Sequence, residues 1–336
     1  MKKNVVPFLF LLTLFSCGSK SSAPDVKNIE VSIPVTRFDT DFFRIDTSQI
    51  FEGLQSLQQK HPEFYPDFMQ EILGIEQSIT PQTIEVTRQF LIGYKPIYDS
   101  LQRVFNKTEW LQDDLETAFK YVKYYFPAYK TGKAILFVGP FDAPGIASTN
   151  AGLAIGLQQY AGSNFSIYQT GPIQSLFPAF ISRRFSPEYI TSNAMKSVVQ
   201  EVYPGSTANT LVEQMIERGK EWYLIDKFLP ATPDSLKTGY TQQQLEWCEE
   251  NEGLIWSYII RNEDLHSLSP AVIQTYLRES PFTQGFSQEL SPGNIGQWLG
   301  WRIIQKYEFK HPGIHPAEVM KADAKKILEE AKYKPK

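Results

Sequence analysis

The chain has 336 residues, 42% of them hydrophobic, and 33 Lys and Arg stand against 37 Asp and Glu for a formal net charge of −4. That length and apolar content can bury a substantial core and exclude a disordered tail. The absence of a basic excess argues against nucleic acid as a partner. Aromatics make up 14% of the chain and recur along helical segments, which suits core packing better than a specialised binding stripe.

In chain order, Lys2 and Lys3 precede an apolar run from Val5 to Phe15 that is too short to span a bilayer. The run ends in Leu14-Phe15-Ser16-Cys17, which resembles a bacterial lipobox. Residues 1–16 therefore read as a lipoprotein signal peptide, and Cys17 as the acylated, palmitate-bearing first residue of the mature chain, anchored by lipid rather than by a helix. Residues 17–27, rich in Ser, Lys and Pro, read as a tether. Once Cys17 is acylated, Cys248 is the only other cysteine, and no intramolecular disulfide can form. Folding is expected to begin near Asn28, giving one domain over 28–336.

Ile29, Val31, Ile33 and Val35 alternate with Glu30, Ser32 and Pro34, the period of a half-buried strand. Helical periods follow over Ile50–Lys60, Phe64–Leu73, Pro81–Phe105 with a break before Pro96, and Glu109–Phe126. Lys133–Gly139 and Gly152–Leu157 are short apolar runs rich in β-formers on either side of a turn-rich stretch, and are expected to pair as a small antiparallel sheet to which Ser163–Tyr168 adds. Helices resume over Glu188–Tyr203, Asn209–Lys227, Thr241–Asn262, Pro270–Arg278, Gly293–Tyr307 and Pro316–Lys332. The fold class is α+β, mainly α.

Two of these helices carry the candidate chemistry. On Thr241–Asn262 the apolar stripe of Leu245, Cys248, Ile255, Trp256 and Ile259 has Glu252 near its middle, and a buried carboxylate needs a partner. Thr241 and Gln244 have the form of a capping box that starts this helix. On Asn209–Lys227, Glu213 and Glu217 stand four apart, the spacing of helical metal ligands and equally of a solvated face, with Lys220 in reach of Glu217. Gly296 and Gly300, also four apart, invite close approach of another helix, and Arg302 beyond them is the candidate partner of Glu252. Cys248 reads as a packed thiol rather than a nucleophile. No phosphate loop, nucleophile elbow or dinucleotide fingerprint is present.

Several stretches together, Val35-Thr36-Arg37-Phe38-Asp39, GLAIGLQQYAG, MIERGKEWYLIDKFLP, YTQQQLEWCEENEGLIWSYI, SPGNIGQWLGWRIIQKY and the closing LEEAKYKPK, resemble the gliding motility-associated lipoprotein GldB family of Bacteroidetes over essentially the whole mature chain. The resemblance implies an envelope lipoprotein linked to gliding motility. It also implies a zincin-like helical body, in which Glu213, Gln214 and Glu217 stand where zinc peptidases carry His-Glu-x-x-His and Glu252 stands as the later ligand. Catalytic zinc wants imidazole and a proton-exchanging base. Gln214 cannot be that base, and the four histidines, His61, His266, His311 and His315, offer no helical ligand pair.

The expectation is therefore a non-enzymatic pseudo-peptidase without metal or other cofactor, whose partners are the membrane, through its lipid, and envelope proteins of the gliding or linked secretion machinery. Gly18 after Cys17, and the lack of an acidic run behind it, point to the outer membrane with the body facing the periplasm. The competing readings are a carboxylate-based hydrolase or glycan-processing enzyme using Glu213, Glu217 and Glu252, alone or around a hard cation, and a ligand-binding envelope lipoprotein. Convergence of the three carboxylates in one cleft would favour the enzyme.

Overall fold

The structure is a computed structural model describing residues 23–205, 207–262 and 265–336. Residues 1–16, expected to be a signal peptide, and Cys17 lie outside the described residues. The N-terminal part comprises strand β1 (Val35–Arg37) and helices α1 (Phe38–Phe43), α2 (Ile50–Lys60), α3 (Tyr65–Asp67), which runs into a π-helical turn at Phe68–Ile72, α4 (Pro81–Val104) and α5 (Glu109–Tyr125). Strands β2 (Lys133–Phe137), β3 (Ile146–Thr149) and β4 (Gly152–Gly156) and the short helices α6 (Gly171–Leu176) and α7 (Ala179–Ser182) follow. The rest is helical: α8 (Ile190–Val202), α9 (Leu211–Phe228), α10 (Asp234–Thr238), α11 (Gln242–Glu250), α12 (Glu252–Asn262), α13 (Pro270–Leu277), α14 (Ile295–Lys310), α15 (Pro316–Lys321) and α16 (Ala324–Ala331). This is an α+β chain, mainly α, and one hydrophobic cluster runs through it from Ile33 to Tyr333. Among the described residues no helix is long and apolar enough to cross a membrane.

The sheet has the order β1-β2-β4-β3, and its pairing corrects the expected antiparallel ribbon. β2 and β4 run parallel, Ala134 against Leu153 and Leu136 against Ile155; β1 is parallel to β2, and only β3 is antiparallel, to β4. The reason lies in burial. Both β2 and β4 are buried over four successive residues rather than alternately, which is the habit of strands covered on both faces. Gly152, at φ +134°, turns the chain from β3 into β4, and a Cβ there would sit 2.3 Å from the Lys133 carbonyl oxygen.

Other boundaries also moved. The alternating stretch from Ile29 enters the ladder only at Val35, because Pro34 has no N–H to give; its carbonyl accepts from Ala134 N at 2.9 Å. Packing begins before Asn28, with Val26 buried and Ala23 and Pro24 lining a cavity beside Tyr223 and Trp301. α4 passes through Pro96 unbroken, since the Ile92 turn that loses a hydrogen bond lies on the solvent side. Ser166–Gln169 is a 3-10 turn and adds no strand. The expected Thr241–Asn262 helix is two helices: Asn251 donates both its backbone N–H and its side-chain amide to Trp247 O, at 3.0 and 2.8 Å, which ends α11. Pro316–Lys332 is likewise divided, by Asp323, whose carboxylate caps α16.

Candidate functional site

α9 starts on a capping box. Thr210 Oγ1 accepts from Glu213 N at 3.4 Å, while Glu213 Oε2 accepts from the backbone of Thr210 at 3.1 Å and of Asn209 at 3.0 Å. Those backbone donors hold the Glu213 carboxyl below its usual range, with a smaller contribution from Lys325. Gln214 Nε2 donates to Asn209 O at 3.1 Å, tying the same turn. Glu217 faces inward instead: it accepts from Lys220 Nζ at 2.7 Å and from Tyr203 OH at 3.0 Å. Lys220 is 1% exposed, and its ammonium also donates to Met320 O at 3.0 Å and Ala322 O at 2.8 Å, the end of α15, where a helix presents unpaired carbonyls and partial negative charge.

α9 and α14 cross at glycines. A Cβ on Gly219 would lie 2.2 Å from the Gly300 carbonyl carbon, and one on Gly300 would lie 1.7 Å from Met215 O, so the two backbones touch with nothing between them. Trp301 and Trp222 meet edge to face beside the crossing, at 6.0 Å between centroids. This approach carries Arg302 of α14 to the start of α12.

There Arg302 Nε and Nη2 donate to the two oxygens of Glu252, each at 3.0 Å, and the Tyr333 hydroxyl makes a short bond to Oε1. The guanidinium also lies 5.7 Å from the Trp298 ring centroid and donates to Gln305. Glu252 is not in the middle of an apolar stripe. The break at Asn251 makes it the first residue of α12, at 15% exposure against 36% for Arg302, so the clamp sits at the rim of the core. Burial lowers the Arg302 guanidinium, but the Glu252 carboxylate outweighs this and raises it; burial and the same carboxylate raise the Tyr333 hydroxyl. Beneath the clamp, Trp256 meets Tyr333 edge to face, and the Lys336 carbonyl lies where a Cβ on Gly253 would go. Nothing in the spacing of the sequence marks Tyr333 as this partner, because its place depends on how the last residues fold back.

Glu213 and Gln214 thus tie the first turn of α9, Glu217 pairs with Lys220 and Glu252 with Arg302, and among the described residues no three His, Cys, Asp or Glu side chains gather as metal ligands. Zinc does not fit this donor set, which lacks imidazole and has its oxygens already taken by backbone, lysine, arginine and tyrosine donors. Of the histidines, His61 pairs with Asp41 at 2.8 Å, His311 with Glu330 at 3.0 Å, and His315 Nδ1 caps α15. Cys248 is fully buried, and burial, with Glu249 and Glu252 nearby, pushes its thiol up and away from the reactive thiolate.

No curated protein and no solved structure matches the chain. A family model described as gliding motility protein GldB matches residues 19–335, nearly the whole length. The chain belongs to the GldB family of gliding motility-associated lipoproteins.

Proposed function

We propose that this protein is a non-catalytic assembly module of the gliding motility machinery, or of a protein-secretion system linked to it. In this reading residues 1–16 are removed, Cys17 carries the acyl chains, the residues just behind it tether the body, and 28–336, with the packed residues immediately before them, form one GldB-like domain on the periplasmic face of the outer membrane. Its partners are the lipid bilayer and envelope proteins of that machinery. The order of parts, a small sheet followed by α9 and later by α12, supports a metallopeptidase-like layout whose ligand positions have been converted to structural work.

The observation that carries the reading is the separate employment of the carboxylates. Glu252 has both oxygens held by Arg302 and Tyr333, Glu217 neutralises Lys220, and Glu213 caps α9. Proton exchange with a substrate requires a carboxyl free to reach it.

The test is complementation of a strain whose motility depends on this protein with Glu252→Gln, Glu217→Gln and Cys17→Ser. For the two glutamate variants, motility should follow the amount of folded protein in the envelope. Cys17→Ser should lose membrane attachment and motility together. Either glutamine variant folding to wild-type level and reaching the envelope, yet leaving cells immobile, would overturn the non-catalytic reading.

A further inference from the structure

Between α8, α9 and the start of α14 lies a cleft of about 330 Å³, within the range of small-ligand sites. Lys196 comes to it from α8, Arg218, Glu221 and Trp222 from α9, Gln297 from α14, and Glu279 from the segment after α13. Its charges differ from the clamped ones described above. Lys220, Lys237, Arg184 and Arg302 each have a carboxylate oxygen at 3.0 Å or less. Lys196 is half-buried, has no carboxylate within 4 Å among the described residues, and donates only to Asn193 Oδ1 at 3.2 Å. Glu221 is also half-buried, and its contacts are long: Arg218 Nη1 at 3.4 Å and Gln297 Nε2 at 3.5 Å. The Gln297 amide is better placed on Arg218 O, at 3.1 Å. An ammonium and a carboxylate therefore face one cleft without meeting, and both retain hydrogen-bonding capacity.

We infer that this cleft binds a small zwitterion of the free amino-acid type, its carboxylate on Lys196 and its ammonium on Glu221. A simple anion would meet Glu221 and Glu279, and a simple cation would meet Lys196 and Arg218, so only a ligand with both charges satisfies the two walls. Trp222 and Leu277 supply apolar lining for a side chain. The electrostatics agree with the geometry. Burial, with Arg184 nearby, pushes the Lys196 ammonium down to about 8, and burial raises the Glu221 carboxyl despite Arg218 and Lys196. Each ion is short of solvation that an opposite ligand charge restores. Across the cleft Glu279 is fixed by Arg184 through bonds of 2.9 and 3.2 Å, which leaves it as a wall rather than a second receptor. The inference does not depend on the assembly role.

The test is calorimetric titration and thermal shift of the purified full chain with the free amino acids, with acetate and methylamine as single-charge probes. At least one amino acid should bind and raise the melting temperature, while acetate and methylamine at the same concentration should not. Lys196→Met and Glu221→Gln should each weaken binding about tenfold or more, since each removes a charged hydrogen bond. Lys196→Arg, which keeps the charge, should be weakened less and guards against a folding defect. Absence of binding by every amino acid, equal binding of acetate, or affinity unchanged in both Lys196→Met and Glu221→Gln would each overturn the inference.

Discussion

Around Phe38 the protein is held together by rings. Phe38 lies 4.6 Å from Phe68, 4.9 Å from Phe64 and 5.1 Å from His61 between ring centroids, and Phe68 continues to Phe137 of the sheet. Around α9 the interior contains charges: Lys220 on Glu217, Lys237 on Asp226 and Asp234, and Arg302 on Glu252 at the rim. Burial of apolar surface is non-directional, and its dispersion energy is spread over many weak contacts. A clamp depends on a few donors and acceptors, so loss of one partner leaves the other desolvated and unsatisfied. The aromatic half has its own ion pair, Arg37 on the fully buried Asp39, but those residues are near neighbours in sequence, whereas the clamps around α9 tie distant parts of the chain in one register.

The comparison can be sharpened first where the effects are largest. Phe38→Ala should cost about 3–5 kcal/mol by removing a fully buried ring. Lys220→Met should cost a similar amount, about 3–5 kcal/mol, through the charge it leaves unpaired on Glu217. The two losses should differ in what repairs them. Adding Glu217→Leu to Lys220→Met should recover part of the stability, because the unpaired carboxylate is gone, though the Met320 and Ala322 carbonyls stay unserved. Urea unfolding of the single and double variants measures this. A double variant no better than Lys220→Met would mean that the carbonyls of α15, rather than Glu217, are what Lys220 holds.

The same contrast explains what could be read from the sequence. Most helices were legible, because their apolar faces repeat with a local period and Thr241–Gln244 announces its own cap. The glycines Gly296 and Gly300 also spoke locally, through their spacing. Strand direction did not: Lys133–Phe137 and Gly152–Gly156 were legible as strands, yet the chain returns between them through β3, so neighbours in sequence are parallel in space. Their unbroken apolar character was the available signal for a doubly covered strand. The clamps were the least legible. Lys220 on the end of α15, Tyr333 on Glu252 and the Lys196 cleft join residues that no local period relates.

The clamp at Glu252 should be weaker than the one at Lys220, because Arg302 is 36% exposed and water and salt screen the pair. Glu252→Ala should cost about 1–3 kcal/mol, less than a fully buried ion would, and Glu252→Gln less again, since the amide still accepts from Arg302 and Tyr333. The Glu252→Ala loss should shrink in high salt, while that of Phe38→Ala should not. Equal salt sensitivity of the two variants would erase the distinction drawn between the regions.

The smallest effect belongs to the cap of α9, and it is seen best through pH. Glu213 titrates near 4.5 when unfolded, and lower in the fold, because Asn209 and Thr210 donate backbone N–H groups to the ionised form. Between those two values the unfolded chain binds more protons, so stability rises with pH there. The contribution is complete above about pH 4.5 and is lost as pH falls through the folded value. In Glu213→Gln the side chain still accepts a backbone bond but cannot titrate. Its deficit relative to the parent at neutral pH, about 0.3–1 kcal/mol for a charge at a helix N-terminus, should therefore close as pH falls below 4.5. Chemical unfolding of both proteins across that range reads the difference directly. A deficit that stays constant down to the acid limit would show that the charge of Glu213 adds nothing to its role as a cap.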